Sequence, residues 1–346
     1  MDKTSGYDKS HQAGGRLMKK IFVTGITGLL GSNLVSDLLG KGYKVKGLVR
    51  DKTAYAGPSH PNLELVEGTL FDDFTRLLEE MDIVIHAAAE TRQNLLHYSE
   101  YWRINCNTTI QLFSSAVYCK VKTFVFVSTA NTLGYGTESE PGDETGKIRY
   151  PFSRLAYAKS KLEAEEYLLK NNRDINVLIV HPGFMLGPMV SRPGSGRIVR
   201  MGWKKRIIFY PPGGKSFVHV KDVSVAICTL IEKGKNGNKY LIVNENLSYS
   251  GFFTKLNRIT HQTPVMVRIP VPIMRMIGCG GDFLRLLGVK SSLSSVNMKI
   301  LCVSNFYSNK KSVSELNIEY RSIDQAIRDS IDIFTNRALT EKWNKP

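Results

Sequence analysis

Residues 20–40 read KIFVTGITGLLGSNLVSDLLG and decide the fold. The apolar run at residues 21–23 predicts a buried strand. Leucines then recur at helical spacing from Leu30 to Leu39, and Gly40 with Gly42 ends the predicted helix. The stretch therefore predicts a strand, a glycine-rich turn and a helix, which is the opening unit of a doubly wound α/β fold.

The turn carries the spacing G-x-x-G-x-x-G at Gly25, Gly28 and Gly31. The free N–H groups of a first helical turn, together with the helix dipole, favour an anion. We expect Gly25 to allow the tight turn, Gly28 to let a pyrophosphate approach the backbone, and Gly31 to let the helix pack close to the sheet. A bare tight turn is the alternative, but the position between a strand and a helix favours a nucleotide site.

Strands and helices alternate beyond this unit. Predicted strands lie at residues 43–49, 63–66, 82–86, 123–127 and 177–180, and predicted helices at 101–120 and 155–169. This alternation predicts a parallel, doubly wound sheet of the Rossmann type, whose ligands bind outside the carboxyl ends of the strands. Candidate site residues therefore follow strands, as Arg50, Ser128 and Thr129 do.

The alternation weakens from about residue 188. We expect a disordered tail at 1–17, a dinucleotide-binding domain at 18–187, a smaller, partly helical substrate lobe at 188–337 that is interleaved with the last Rossmann elements, and a tail at 338–346. Within the lobe the pattern predicts strands at 217–220 and 239–243, and helices at 311–316 and 323–334. Asp222 is a predicted N-cap for a helix at 223–232.

Composition limits the classes of function. The chain has 346 residues and a net charge of +16, but its basic residues are dispersed and no recognition motif accompanies them, so we expect no nucleic-acid partner. Its five cysteines show no C-x-x-C spacing, which fits a reducing cytoplasm and predicts neither a disulfide framework nor a metal site.

Membrane segments are not predicted. Residues 1–17 lack the apolar core of a signal peptide, and no run of 18 apolar residues occurs. Residues 269–289 come nearest, but prolines, glycines and three charges interrupt them. We expect a pair of short amphipathic helices over a cleft there, rather than a membrane anchor.

Tyr157 and Lys161 lie four residues apart in a predicted helix and share one face. A nearby ammonium favours the phenolate, and a tyrosine with a lowered pKa can exchange a proton with an alcohol or a carbonyl oxygen. Ser128 and Thr129 end the fifth predicted strand, where a hydroxyl can hold a substrate oxygen. The alternatives are an exposed helix with a chance Tyr and Lys, and a hydroxyl that only caps a turn.

These motifs together resemble the extended short-chain dehydrogenase/reductase family over nearly the whole chain from Met18. The resemblance extends to H-A-A-A at residues 86–89, R-I-N-C-N-T-T at 103–109, H-P-G at 181–183 and F-V-H-V-K-D-V at 217–223. Within the family the chain is most similar to the dihydroflavonol-reductase-like branch, near the hopanoid-associated sugar epimerases.

The resemblance implies roles for particular residues. Tyr157 would be the general acid/base, Lys161 would lower the pKa of Tyr157 and bind the nicotinamide ribose, Thr129 would be the catalytic hydroxyl, and Asn105 would fix the backbone of the active site. The implied cofactor-binding residues are Gly25, Thr27, Gly28, Leu29, Leu30, Gly31, Arg50, Leu70, Ala87, Ala88, Ala89, Ser128, Tyr157, Lys161, Pro182, Gly183 and Met185. A homodimer through residues 101–120 and 155–169 is implied as well.

The sequence departs from the family pattern in two places. Gly68 is followed by Thr69 and Leu70 where an adenine-contacting Asp is common, and residues 130–135 contain neither V-Y-G nor the Asp-Glu pair of dehydratases. Dehydration is therefore set aside. The single histidines His86, His181 and His219 are expected to be buried and hydrogen-bonded rather than metal ligands.

The leading hypothesis is an NADP(H)-dependent reductase of a carbonyl, or the reverse alcohol oxidation. An NAD site places a carboxylate about 20 residues beyond the glycine turn, whereas here the second strand ends at Arg50, which can bind a 2′-phosphate. Asp51 is the rival that would favour NAD. The alternatives are an NAD-dependent nucleotide-sugar epimerase or hydroxysteroid-type dehydrogenase, with Arg192, Arg197 and Lys215 available for a diphosphate, and a non-catalytic NADP-sensing protein.

Overall fold

The computed structural model describes residues 18–188 and 196–343, with side chains of the last helix described up to Thr335. The strands are β1 Lys20–Thr24, β2 Lys44–Val49, β3 Leu63–Glu67, β4 Ile83–His86, β5 Thr123–Val127, β6 Asn176–Pro182, β7 Phe184–Leu186, β8 Ile207–Tyr210, β9 Gly214–His219, β10 Lys239–Ile242, β11 Glu245–Ser248, β12 Val265–Arg268 and β13 Ser304–Asn305. The helices are α1 Leu29–Gly40, α2 Thr75–Leu78, α3 Tyr98–Trp102, α4 Thr108–Tyr118, α5 Ala156–Lys170, α6 Arg197–Gly202, α7 Val220–Lys233, α8 Tyr249–Ile259, α9 Val271–Leu286, α10 Ser295–Leu301, α11 Lys310–Leu316 and α12 Ile323–Trp343.

Seven parallel strands form the main sheet in the order β10-β6-β5-β4-β1-β2-β3. The order reverses beside β1, so the crevice of a doubly wound sheet opens at the carboxyl ends of β1 and β4. This confirms the predicted fold class. The glycine turn and the ends of β4 and β5 consequently lie at one edge of the sheet.

Helices cover both faces of this sheet, which explains why its central strands are continuous apolar runs. On one face α1 and α7 pack through a core that includes Leu34, Leu38 and Ile227. On the other face α4 and α5 pack through a core that includes Phe113, Phe124 and Leu168. Although β10 and α7 follow residue 188, they belong to this first layer system.

The smaller lobe is built on two short sheets. In the first, β9 pairs with β11, β13 and β7, and in the second β12 runs parallel to β8. Phe217, Phe252 and Phe253 form its aromatic core together with residues of α6 and α12. The lobe thus has a core of its own beside the carboxyl edge of the main sheet.

Two predicted helices differ in the structure. The helix predicted at 101–120 is interrupted by a π-helical turn at Arg103–Asn107 between α3 and α4. The N-cap of α7 is His219, whose ring accepts from the N–H of Lys221 at 3.0 Å. The prediction of Asp222 as N-cap is wrong because its carboxylate instead accepts hydrogen bonds from Arg321.

The pair of short helices predicted at 269–289 is also wrong, because α9 is one helix of 16 residues. Pro270 and Pro272 lie at its N-terminus, where a missing N–H costs nothing. Gly278 and Gly281 face α10 and the segment before it: a Cβ would lie 2.8 Å from Ser295 Cα and 1.7 Å from Leu293 O. These glycines allow close packing and do not break the helix.

Candidate active site

The glycine turn between β1 and α1 is held tightly against the segment after β4. Gly25 has φ +78°, and a Cβ there would lie 2.6 Å from the N of Ala88. A Cβ on Gly31 would lie 2.1 Å from the carbonyl oxygen of Gly25. The tight turn at Gly25 is therefore confirmed, whereas Gly31 is required for close contact with the turn itself, not with the sheet as expected.

A chain of hydrogen bonds connects the glycine turn to α5. Thr24 Oγ1 and His86 Nδ1 are 2.7 Å apart, and His86 Nε2 lies 3.0 Å from Thr109 Oγ1. Thr109 Oγ1 donates to the carbonyl of Asn105 at 2.7 Å, and Asn105 Nδ2 donates to Ser160 Oγ at 3.0 Å. Burial, followed by the charge of Lys161, lowers the pKa of His86 to about 3.

Asn105 lies in the π-helical turn and is fully buried. Its side chain accepts from the N–H of Glu90 at 2.7 Å and donates to the carbonyl of Glu90 at 3.1 Å. With its bond to Ser160, it fixes the segment after β4 against the helix that carries Tyr157. Asn105 thus holds the backbone of Glu90 and the Ser160 side chain together, and its role in an active site stays a prediction.

Tyr157 lies in the first turn of α5 and is hydrogen-bonded to the Thr129 side chain. Burial raises the pKa of Tyr157 to about 12, although the Thr129 bond acts in the opposite direction. The lowered pKa expected for Tyr157 is therefore not found, because desolvation of the phenolate outweighs its favourable contacts. At neutral pH the phenol is protonated and is a proton donor.

Lys161 lies one turn further along α5 and is 1 % exposed. Its Nζ is 3.8 Å from the centroid of the Phe126 ring and has no hydrogen-bond partner among the described residues. Burial lowers the pKa of Lys161 to about 7, although the charge of Glu165 raises it. A buried donor without a partner is costly, so this ammonium fits a ligand with hydroxyl acceptors, such as the ribose of a nicotinamide cofactor.

A buried network behind Lys161 includes residues that the sequence analysis did not identify. Glu165 accepts from Ser128 Oγ and lies 3.0 Å from His181 Nε2 and 3.5 Å from Lys239 Nζ. Burial raises the pKa of Glu165, but His181 and Lys239 outweigh burial and lower it to about 2.

The end of β2 places Arg50 and Asp51 differently. Asp51 accepts from Thr53 N at 2.8 Å and Thr53 Oγ1 at 2.6 Å, so its carboxylate caps the turn at Lys52–Ala54. Arg50 is exposed. Burial raises the pKa of Glu90, but Arg92 and then the charge of Arg50 lower it overall.

Other predicted cofactor residues lie at the same edge of the sheet. Leu29 and Leu30 begin α1, and Leu30 is buried in the core. Ala87, Ala88 and Ala89 follow β4 and are partly exposed, and Pro182, Gly183 and Met185 lie at the end of β6 and in β7. The hydroxyl of Ser128 is bonded to Glu165, so it faces the interior and not the cleft.

The remaining predicted residues are more distant or differently placed. Leu70 packs against the core under α4, beside a turn in which Asp72 accepts from Thr69 N at 2.8 Å. Of the basic residues considered for a diphosphate, Arg197 is exposed on α6, Lys215 is partly exposed on β9, and Arg192 lies outside the described residues. Burial lowers the pKa of Lys215 to about 8.

All three histidines make buried hydrogen bonds, as predicted. His86 bonds Thr24 and Thr109, His181 bonds Glu165, and His219 Nε2 lies 3.0 Å from Asp329 Oδ2. Within residues 18–188 and 196–335 no three His, Cys, Asp or Glu side chains gather as metal ligands would. In the same part of the chain, none of the helices has both the length and the apolar content needed to cross a bilayer.

The sheet, the glycine turn and the Thr129–Tyr157–Lys161 group define the class of nicotinamide-dependent oxidoreductases with a Rossmann fold. Residues 21–244 match the NAD dependent epimerase/dehydratase family. The chain belongs to this family.

Similar proteins include several kinds of enzyme. A Synechocystis protein named "Putative dihydroflavonol 4-reductase" is 27% identical over 92% of this chain and 96% of its own length. A Dictyostelium discoideum sterol-4-alpha-carboxylate 3-dehydrogenase is 27% identical over 68% of this chain and 75% of its own. A Vibrio cholerae UDP-glucose 4-epimerase is 26% identical over 66% and 72%.

Solved structures share the fold. The crystal structure of gox2253 has a TM-score of 0.78 at 25% identity, covering 92% of this chain and 98% of that one. The Thermus thermophilus UDP-glucose 4-epimerase in complex with NAD has a TM-score of 0.71 at 18% identity, covering 91% and 99%. The family match and the reductase and dehydrogenase relatives together show that the chain is an NAD(P)-dependent enzyme of the extended short-chain dehydrogenase/reductase type.

Proposed function

We propose that the protein is an NADP(H)-dependent oxidoreductase that reduces a carbonyl to an alcohol. The observation that carries the proposal is the Lys161 ammonium, which is buried beside the Thr129–Tyr157 pair and has no hydrogen-bond partner in the part of the chain that the structure describes. A ribose with two hydroxyl groups would satisfy that donor at the point where a nicotinamide has to lie for hydride transfer. The cofactor, when bound, supplies the hydride.

The protein residues would supply the proton and the orientation. Thr129 holds the Tyr157 side chain by a hydrogen bond, and the same pair can hold a substrate carbonyl oxygen. Because the pKa of Tyr157 is about 12, its proton is present at neutral pH and can pass to the oxygen as negative charge develops there. This protonation state favours reduction, whereas alcohol oxidation needs the phenolate and should become faster as the pH rises.

Selection of NADP(H) is proposed from the end of β2. Asp51, the residue that would favour NAD, uses its carboxylate to bond Thr53. Arg50 is exposed and close enough to affect the pKa of Glu90 at the adjacent edge of the sheet. A guanidinium there can bind a 2′-phosphate with two hydrogen bonds.

The proposed substrate is a carbonyl compound of the kind that a dihydroflavonol-reductase-like enzyme reduces. This choice is supported by the similarity to a protein of that name across 92% of this chain. A nucleotide-sugar epimerase is the second candidate, supported by the partly exposed Lys215, whose pKa burial lowers to about 8. Such a lysine would gain from a bound diphosphate. A non-catalytic NADP sensor would not need the hydrogen-bonded Thr129–Tyr157 pair.

We also propose a homodimer through α4 and α5. Tyr118 on α4 is exposed to 77 %, and Trp102 on the preceding helix α3 is exposed to 37 %. Sedimentation equilibrium at micromolar concentration should give the mass of two chains. A single-chain mass across that range would contradict the homodimer.

The proposed activity is tested by assaying the full chain with a panel of ketones, dihydroflavonols, steroids and UDP-sugars, each with NADPH and with NADH. We expect NADPH oxidation with at least one ketone and none with UDP-sugars. Conversion of a UDP-sugar to its epimer without net change in cofactor would favour the second candidate. Tight NADPH binding with no turnover of any compound would favour the sensor.

A further inference from the structure

The outward face of α9 is apolar, although it is in contact with solvent. Met276, Phe283, Leu286 and Leu287 are exposed to 73 %, 62 %, 85 % and 65 %, respectively. Ile273 and Leu284 extend the same surface and are also exposed. A surface helix normally turns charged residues toward water, whereas a helix that is apolar on all sides is normally covered.

The opposite side of α9 is fully used for packing. Met274, Gly278 and Gly281 are buried. Arg285 donates to the carbonyl of Leu95 at 2.6 Å and to that of Ser291 at 2.9 Å. The helix is therefore held firmly on the lobe, and rotation about its axis could not bury the outward face without losing these contacts.

A second exposed apolar surface directly precedes α9 in the chain. In the two-stranded sheet, Val265 pairs with Ile207 and Val267 with Phe209, and all four side chains are exposed. Paired residues of neighbouring strands share a face, so these four side chains form one patch. Only Ile269 and Pro270 separate the end of β12 from the beginning of α9.

Basic side chains accompany both surfaces. Residues 201–210 and 265–287 contain six basic residues and one acidic residue, Asp282, whose carboxylate accepts from the N–H of Ser295 at 3.1 Å. Arg285 is partly buried, and the other five basic residues, Lys204, Lys205, Arg206, Arg268 and Arg275, are exposed. Within residues 18–188 and 196–335, none of them forms an ion pair with a carboxylate.

We propose that the α9 face and the β8–β12 patch bind the surface of a bilayer that contains anionic lipid. Apolar side chains flanked by unpaired basic ones match the two layers of such a surface, acyl chains below and negative headgroups above. A helix of 16 residues is about 24 Å long, shorter than the ~30 Å hydrocarbon core, so α9 lies in the interface and does not cross.

The binding surface is structurally joined to the candidate active site. Through Arg285, α9 contacts Leu95 in the segment that follows β4, and Asn297 of α10 bonds the carbonyl of Gln93 in the same segment. Ile300 of α10 packs with Phe152 and Leu155 at the start of α5. Docking of α9 would therefore bring the substrate side of the site close to the lipid surface.

The test is flotation of the full chain with vesicles of phosphatidylcholine alone and of phosphatidylcholine with phosphatidylglycerol. Wild-type protein should float with the anionic vesicles and be released progressively by salt up to about 0.5 M. The triple variant Met276→Gln, Phe283→Gln, Leu286→Gln should bind at least about tenfold more weakly. Lys204→Gln with Lys205→Gln and Arg206→Gln should lower binding and its salt dependence.

The matched control is Val313→Gln, which removes an exposed apolar side chain from α11, outside both proposed interfaces, and should leave vesicle binding unchanged. Circular dichroism and the urea midpoint check folding, and the single change Leu286→Gln replaces the triple variant if that variant unfolds. The proposal is overturned if wild-type protein does not float, or if the α9 variants float as wild type does. It is also overturned if wild-type protein does not bind vesicles and the α9 variants lose self-association in sedimentation without vesicles. In that case the α9 face binds a second copy of the chain. None of these measurements uses catalysis, so they do not depend on the proposed function.

Discussion

The Lys161 pocket and the outward face of α9 depart from the usual distribution of side chains in opposite directions. In the first, an ammonium is buried with no hydrogen-bond partner among residues 18–188 and 196–335, and in the second, large apolar side chains lie in water. Either arrangement costs free energy in the isolated chain. The difference indicates what is missing in each place: a polar ligand with hydroxyl groups inside, and an apolar surface outside.

The largest expected effect tests whether the inner region performs chemistry. Tyr157→Phe removes the phenolic proton but keeps the ring, so we expect kcat to fall by about 10²–10⁴. Cofactor affinity and vesicle binding should stay at their wild-type values. Steady-state rates with the best ketone of the panel, together with NADPH titration, measure this, and near-normal turnover would remove Tyr157 from the mechanism.

The second prediction concerns the cost of burying Lys161. Its folded pKa is about 7 against an ordinary 10.5, so between these values the unfolded chain holds a proton that the folded chain lacks. Unfolding free energy due to this group therefore rises with pH across that window. Lys161→Met should be more stable than wild type by on the order of 3 kcal/mol near pH 7, with the gap closing toward pH 10.

Urea unfolding near pH 7 and near pH 10 measures the difference in stability between Lys161→Met and wild type. The matched control is Lys159→Met, at an exposed position, whose stability should lie within about 0.5 kcal/mol of wild type. The same Lys161→Met variant should bind NADPH more weakly. A destabilised variant at neutral pH would show that the ammonium is satisfied in the folded chain, and the comparison with α9 would then fail.

The third prediction sharpens the account of the inner region by asking which cofactor it fits. Arg50→Ala should weaken NADPH binding by about ten- to a hundredfold, because a charge-assisted hydrogen bond contributes roughly 1.5–3 kcal/mol. NADH binding should change little. Dissociation constants for both cofactors decide it, with Lys44→Ala at the other end of β2 as control. Equal affinity of wild type for the two cofactors would contradict the proposed preference.

The fourth prediction concerns the tight glycine turn between β1 and α1. Gly31→Ala places a methyl group 2.1 Å from the carbonyl oxygen of Gly25, so the backbone has to shift, at a cost of about 1–3 kcal/mol. Gly40→Ala in the same helix meets no atom within 4 Å and should be neutral or stabilising by up to about 1 kcal/mol. Thermal unfolding of the pair measures the contrast, and equal melting temperatures would count against the close contact.

The smallest effect is expected on the outer surface. Leu286→Gln replaces a side chain that is 85 % exposed, so urea unfolding should change by no more than about 0.5 kcal/mol. The expected gain in unfolding free energy for Lys161→Met is much larger. The two results together would show that the Lys161 pocket costs the folded chain more free energy than the outward face of α9 does. A loss well above 1 kcal/mol would mean that Leu286 is covered in solution.

Local patterns made much of this site predictable from the sequence. The glycine spacing at Gly25, Gly28 and Gly31 and the i, i+4 pair Tyr157 and Lys161 each depend on neighbours in one segment, and both lie at the expected edge of the sheet. The Glu165–His181–Lys239 network could not be predicted in the same way, because its bonds join α5, β6 and β10.

The predictions that were wrong failed for the same reason, because each depends on contacts between distant parts of the chain. The pKa of Tyr157 rises because packing from several elements removes water, which no local spacing reports. The glycines of α9 were expected to interrupt a helix. They instead make room for α10 and Leu293, which pack closely against them. His219 takes the capping position of α7, whereas Asp222 is bonded to Arg321, 99 residues further along the chain.

The hydrogen-bond chain from Thr24 to Asn105 has a fixed direction. Thr109 Oγ1 donates its proton to the Asn105 carbonyl, so it can only accept from His86 Nε2–H. Nδ1 of the neutral ring must then accept from Thr24 Oγ1, which itself accepts from the N–H of Ala88. With a pKa of about 3, His86 keeps this single tautomer at every pH at which an enzyme works. The protonation and the bond directions of this chain therefore stay the same across that range, so the glycine turn and the helix of Tyr157 are joined in one way while the acidity of the surroundings varies.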